Sequence, residues 1–244
     1  MERLRVIAEG VWGIEDVVTP SPGFRMPARA TVVRLAGGEV VLHAPLAIDD
    51  EVARELAALG PVKHIVAPSC LHWMFVKGAV ERYPDARVLG VEGLEQKLTA
   101  KAGVRFEPLA NGAFGDELEV LRIAGAPSIN EHVLLHGPSR SLLLSDLVFN
   151  IHADASWPMS MLLWINGAHR KTAQSRVWRF AVKDRAAAAE SASALLARDY
   201  ERVVVGHGDV IEDDARERMR RALAWMTGSP AQKSDAAAEA DVAH

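Results

Sequence analysis

The sequence predicts a layered α/β fold, and three observations predict it. Apolar β-branched runs and helical patterns follow one another, most clearly across residues 40–67, where strand, helix and strand come in that order. Two further apolar runs, SLLLSDLVFN at residues 141–150 and RVVVGHGD at residues 202–209, break off at Asp146 and His207, side chains able to hold a metal. A buried strand that stops at a polar residue presents it at the sheet edge, where α/β proteins place their sites. A hydrophobic content of 49% supplies the core of a single domain spanning residues 1–228 of 244.

The opening run LRVIAEGVWGI is rich in β formers and reads as a first strand, with a Pro- and Gly-bearing loop at residues 19–24. Val- and Leu-rich runs around Gly37 and Gly38 read as a hairpin. Asp49 and Asp50 open a helix whose Val52, Leu56 and Leu59 share one face, and Gly60 and Pro61 stop it. Residues 62–67 make the next strand. Residues 71–83 read as a helix ended by Pro84, residues 87–91 as a short strand and residues 93–101 as a short helix. A turn at residues 111–115 precedes a strand at 118–123. Residues 132–136 and 141–147, separated by Gly137, Pro138 and Ser139, read as a second hairpin. Residues 151–178 hold three Trp with little periodicity and read as a partly irregular segment over the sheet ends. Asp184 caps an Ala-rich helix, residues 200–206 form the last strand, and residues 213–226 form an amphipathic helix. Residues 229–244 are small, polar and aperiodic, the pattern of a disordered tail.

A charged fraction of 25% is that of a soluble protein, and a net charge of −4 lacks the basic field of a nucleic-acid binder. One cysteine, Cys70, excludes an internal disulfide and fits a cytoplasmic location. The charged N-terminal stretch lacks the apolar core of a secretory signal, and no run approaches the ~20 apolar residues of a membrane helix. The expected partner is a small-molecule substrate, with neither nucleic acid nor membrane. Oligomeric state is left open.

His207 stands between Gly206 and Gly208, which let the backbone approach a ligand closely or turn sharply, and neutral imidazole suits zinc or iron. The plainer reading is a histidine bonded to a loop carbonyl. Asp146 reads as a carboxylate ligand or a turn cap, and Asn150 can steady the same loop. Asp209 orients His207 or caps the following turn, the second being favoured. The strand at residues 64–67 runs into Pro68, Ser69, Cys70 and His72. His72 is the better ligand there; Cys70 offers a thiolate or is inert packing. His152 and His132 are weaker pocket candidates, while His136, His64 and His169 read as core, edge or solvent residues. Trp157, Trp164 and Trp178 read as cover for the core, with an aromatic pocket wall as the alternative. Arg25 and Arg29 can reach an anionic substrate from the first hairpin, although solvation is the plainer reading. There is no G-x-S-x-G elbow, P-loop or G-x-G-x-x-G.

His, Asp and His at successive strand ends, with MPARATVVRLAGGEVVLHAPLAI, PVKHIVAPSCLHWMFVKGAVERYPDARV, SDLVFN and VVVGHGD, resemble the metallo-β-lactamase superfold. The closer resemblance is to a branch known only as a domain of unknown function. It covers most of the chain and implies a four-layer αββα sandwich, two mixed β-sheets inside and helices outside. Active members carry His-x-His-x-Asp-His where this chain has Pro68-Ser69-Cys70-Leu71-His72-Trp73. Pro68 and Trp73 cannot bind a metal, and the motif's acid/base aspartate is missing, so no catalytic side chain is assigned. The resemblance then implies one ion, Zn or else Fe or Mn, on His72, Asp146 and His207, with a position open for water. His132 is a spare ligand by the same resemblance, and His43 stands where the superfold often has Asp. The implied function is a hydrolase using metal-bound water on an ester, thioester or phosphoester. The rival, carried by Pro68 and Trp73, is a metal-free degenerate member acting as a binding or scaffolding module. An iron oxidoreductase has only the fold behind it.

Overall fold

Period-two hydrophobicity decides the layering. In the computed structural model, which describes residues 3–152 and 155–228, β9 (His132–His136) and β10 (Ser141–Leu143) form the centre of a sheet with β8 (Leu118–Arg122) and β13 (Arg202–Val204), in the order β13-β10-β9-β8. Leu134, Leu143 and Val204 point to one side of it, and Val133, Leu142 and Val203 to the other. The first set packs against the seven-stranded sheet. The second packs against α5 (Arg185–Leu196) and α6 (Ala215–Thr227) through residues such as Leu195, Met219 and Leu223. The tail expected at residues 229–244 lies outside the described residues.

The larger sheet runs in sequence order: β1 (Leu4–Ala8), β2 (Val11–Ser21), β3 (Phe24–Arg34), β4 (Val40–His43), β5 (Val62–Ala67), β6 (Arg87–Gly90) and β7 (Glu107–Pro108). Its first four strands are antiparallel neighbours and its last four parallel ones. The parallel part needs crossovers, and α1 (Asp50–Leu59) and α2 (Val76–Arg82) supply two of them. Asp49 caps α1 by accepting the Val52 N–H, as its sequence position predicts. Two mixed sheets with helices outside are thus the observed architecture, joined by a small ribbon of β11 (Phe149–Asn150) and β12 (Thr172–Ala173). Among the described residues no helix is long and apolar enough to cross a membrane.

Several expectations need correcting. The opening strand divides at a turn into β1 and β2, and the loop expected at residues 19–24 shrinks to a tight turn between β2 and β3. The helix expected from residue 71 begins at Val76. Residues 68–72 are bonded sideways instead: the Cys70 N–H donates to the Ile129 carbonyl, and Pro68 accepts from the His132 N–H, both at 2.8 Å. Phe75 at the helix start offers no side-chain acceptor. His72 therefore sits in an irregular loop. The stretch expected to be partly irregular contains α3 (Trp157–Ile165) and α4 (Arg176–Ala181). Trp178 is buried as cover for the core, whereas Trp157 and Trp164 are 74% and 72% exposed. The expected helix at residues 93–101 is a π-helical turn, Glu95–Lys101.

Leu134 is fully buried between the two sheets. Leu134→Ala is expected to cost about 2–5 kcal/mol, read as a lower urea midpoint with the slope unchanged.

Candidate metal centre

Strand register brings the first two groups together. β10 and β13 are parallel, with Leu143 opposite Val204. Asp146 and His207 each follow three residues beyond that pair, so equal offsets set them abreast. The loops approach closely enough that glycine is required on both sides of His207. A Cβ at Gly206 would lie 2.7 Å from the Ser145 carbonyl oxygen; at Gly208, where φ is +99°, it would lie 2.1 Å from that of Asn150. The Asn150 N–H donates to the His207 carbonyl at 3.1 Å, and the Asp209 N–H returns to the Asn150 carbonyl at 2.9 Å.

Two buried charges hold these loops. Arg29, 4% exposed on β3, donates through Nη1 to the carbonyls of Val205 (2.8 Å) and Gly208 (2.7 Å), and through Nη2 to Glu15 (2.7 Å). It is neither solvated nor turned to a substrate; it clamps the His207 loop. Glu131, fully buried, accepts the backbone N–H of Ser145 (2.8 Å) and of Asp146 (3.1 and 3.0 Å). Sequence reasoning missed both roles. Arg29 stands among small residues in a strand that buries its neighbours, a usable signal; nothing local distinguishes Glu131.

The third group arrives from the loop after β5. Ligand atoms of His72, Asp146 and His207 all lie within 4.8 Å of one another. His72 Nε2 is 3.1 Å from Asp146 Oδ2, and His207 Nε2 is 3.3 Å from Oδ1. Neither pair is aligned as a hydrogen bond, and Oδ2 remains a buried acceptor without a donor. His207 Nδ1 lies 2.9 Å from the Pro27 carbonyl, which only accepts. In the neutral ring the proton is therefore on Nδ1 and the lone pair on Nε2, facing a carboxylate oxygen. Two facing acceptors need a proton or a cation between them. Two imidazole nitrogens and a carboxylate are a donor set that fits Zn, Fe or Mn. Phe149 packs edge-on against the His207 ring, centroids 5.3 Å apart.

Burial resists ionisation of Asp146, yet the two imidazoles hold its pKa well below the usual carboxylate range. Burial pulls His72 down, but the charges of Asp146 and Glu131 outweigh it and raise its pKa. Burial first, then the Asp146 charge, pushes Glu131 up to about 7.

The other candidates lie outside this cluster. Cys70 Sγ contacts the Glu92 carbonyl at 3.4 Å, and burial raises its pKa, which favours the thiol. His132 Nδ1 is 3.1 Å from the Leu109 carbonyl. Asn150, expected to steady the Asp146 loop, instead donates through its side chain to the Asp209 carbonyl beside His207 and accepts from Thr172 and Arg218. His152 contacts Asn150 Oδ1 and is exposed. Asp209 is exposed too, and Pro27 takes the orienting role considered for it. His136 bonds Ser139, and His64 packs against Phe114 beside Glu39. His43 is fully buried with neither ring nitrogen partnered; burial, then the His72 charge, lowers its pKa to about 3.

A cavity of about 380 Å³ opens beside the three groups. Met26, Leu46, Trp73, Phe149, Met159 and Trp178 contribute to its apolar wall, and among the described lining residues there is no Lys or Arg. Trp73 is part of the cavity wall.

Arg29→Ala would leave two loop carbonyls without their buried donor, so a loss of about 3–5 kcal/mol is expected in urea unfolding. One part of the pH dependence comes from His43 and His132, the latter lowered to about 4, chiefly by burial. The unfolded chain takes up protons below about 6.5 that these folded imidazoles refuse. Their contribution is intact above about 6.5 and declines as pH falls towards 4. Glu131 and His72, both raised, act in the opposite sense, so the test is the difference from wild type: between pH 7 and 5 the urea midpoint of His132→Asn should fall less, or rise more.

Residues 9–94 match the model of a domain of unknown function (DUF4336). No curated protein matches the sequence. Among solved structures, a metallo-β-lactamase from Pontibacter korlensis superposes with a TM-score of 0.59 at 19% identity, covering 90% of this chain and 97% of that one. A metallo-β-lactamase from Hirschia baltica gives 0.58 at 17%, with 92% and 96% covered. The flavodiiron core of Flv1 from Synechocystis sp. PCC6803, a metal-soaked structure, gives 0.62 at 14%, with 92% of this chain and 60% of that one covered.

Proposed function

We propose that this chain, whose fold is that of the metallo-β-lactamases, is a hydrolase-like protein holding one divalent metal at His72, Asp146 and His207. Its substrate is an ester or thioester with an apolar non-reacting part. The supporting observation is the pair of facing acceptors, His207 Nε2 and Asp146 Oδ1 at 3.3 Å, with the His207 tautomer fixed by Pro27. When bound there, Zn, Fe or Mn supplies Lewis acidity and lowers the pKa of water towards ~7.

The chain's own groups do the remainder. Pro27 holds the His207 lone pair towards the centre, Glu131 fixes the backbone that carries Asp146, and Arg29 fixes the loop that carries His207. The apolar wall seats the substrate's chain and excludes water, placing its carbonyl against the three polar groups. A phosphoester would bring negative charge to a wall where the described residues offer no Lys or Arg, which favours the uncharged carbonyl substrates.

The same geometry supports a second reading. A proton can take the cation's place, making Asp146 the shared partner of charged imidazoles, and Pro68 and Trp73 then belong to a metal-free binding module.

Calorimetric titration of chelator-stripped protein with Zn²⁺ separates the two. One equivalent per chain should bind, stabilise the fold by about 2.7 kcal/mol at a hundredfold excess over Kd, so that the thermal midpoint rises, and fail to bind to His207→Ala. If zinc, iron and manganese are all refused and chelator leaves unfolding unchanged, the module reading stands instead.

A further inference from the structure

The region around the cavity mouth has a surface unlike the rest of the molecule. α3 contains no charged residue: Met159 and Leu163, one turn apart, face inward, while Trp157, Met161, Trp164 and Ile165 are exposed. Val177 and Phe180 on α4 add to them, Phe180 at 80% exposed. Leu71, Met74, Leu162 and Val177 are both exposed and part of the cavity lining, so the apolar surface continues over the rim into the cavity. An exposed apolar patch of this kind marks a contact surface.

Charge identifies what it contacts. Residues 155–183 contain no Asp or Glu, although the whole chain carries −4. Arg170, Lys171, Arg176 and Lys183 are exposed within that stretch, and exposed Arg25 is joined to it where the Arg25 N–H donates to Ser156 Oγ at 3.0 Å. Arg176 donates to the Ile165 carbonyl, setting a cation at the end of α3. No carboxylate among the described residues pairs with these five cations. Aromatic and aliphatic side chains rimmed by Lys and Arg that pair with no described carboxylate match a bilayer interface, where Trp sits at the headgroup level and cations meet anionic headgroups.

We propose that α3 and α4 dock onto an anionic lipid surface, with the cavity mouth facing the bilayer. The contact is peripheral, and it does not depend on a metal at the centre. It would let an apolar chain pass from the bilayer into the cavity without crossing water.

Vesicle co-sedimentation tests this with the full chain, with and without chelator. Phosphatidylcholine vesicles containing phosphatidylglycerol should bind at least roughly tenfold more tightly than phosphatidylcholine alone at low salt, and the preference should shrink as screening rises. A Trp157→Ala/Trp164→Ala/Phe180→Ala variant should lose binding while keeping the wild-type thermal midpoint, since all three side chains are exposed. Arg170→Glu/Lys171→Glu should lose the anionic preference. Absence of binding to either vesicle at low salt overturns the proposal. So does a stable dimer in sedimentation that the triple apolar variant dissociates, which would give the face to a second copy of the chain.

Discussion

A carboxylate withdrawn from water must be compensated, and Asp146 is the group around which this structure satisfies that requirement. Its oxygens meet only two imidazoles at close range, each from a different strand end. Compensation at that distance demands loops fixed to within a few tenths of an ångström. The fold provides this with two further buried charges, Glu131 under the Asp146 backbone and Arg29 under the His207 loop. Neither is a ligand, yet without them the three groups would have no fixed separation.

The replaced motif acquires a physical meaning beside this centre. Pro68 keeps only its carbonyl in use, accepting from His132, and Trp73 lines the cavity. Both positions thus contribute backbone pairing and an apolar wall. The result is a small polar focus at the edge of an apolar cavity.

The layers were legible because their signal is local and repeated. Strand ends at Ala67, the hairpin around Gly38, the Asp49 cap and the Asp184 cap all follow from short-range rules. His72, Asp146 and His207 could be singled out because each ends an apolar run, and two glycines bracket the last. What stayed hidden depends on distant contacts. The irregular loop around His72 follows from bonds to Ile129 and His132, more than fifty residues away. The burial of Arg29 depends on carbonyls of Val205 and Gly208. α3 escaped detection because a helix apolar all round has no periodicity to read, and Trp157 and Trp164 were assigned to the core on hydrophobicity alone.

The matched offsets of Asp146 and His207 from the Leu143–Val204 pair have an evolutionary corollary. Because the two groups sit on loops of equal length beyond paired strand ends, lengthening either segment by one residue would put one partner out of step with the other. Insertions and deletions between Leu143 and Asp146, or between Val204 and His207, should therefore be rare in lineages that retain the pair. Drift can rewrite the loop around His72, which no such spacing rule protects, while these two short tethers keep a constant length.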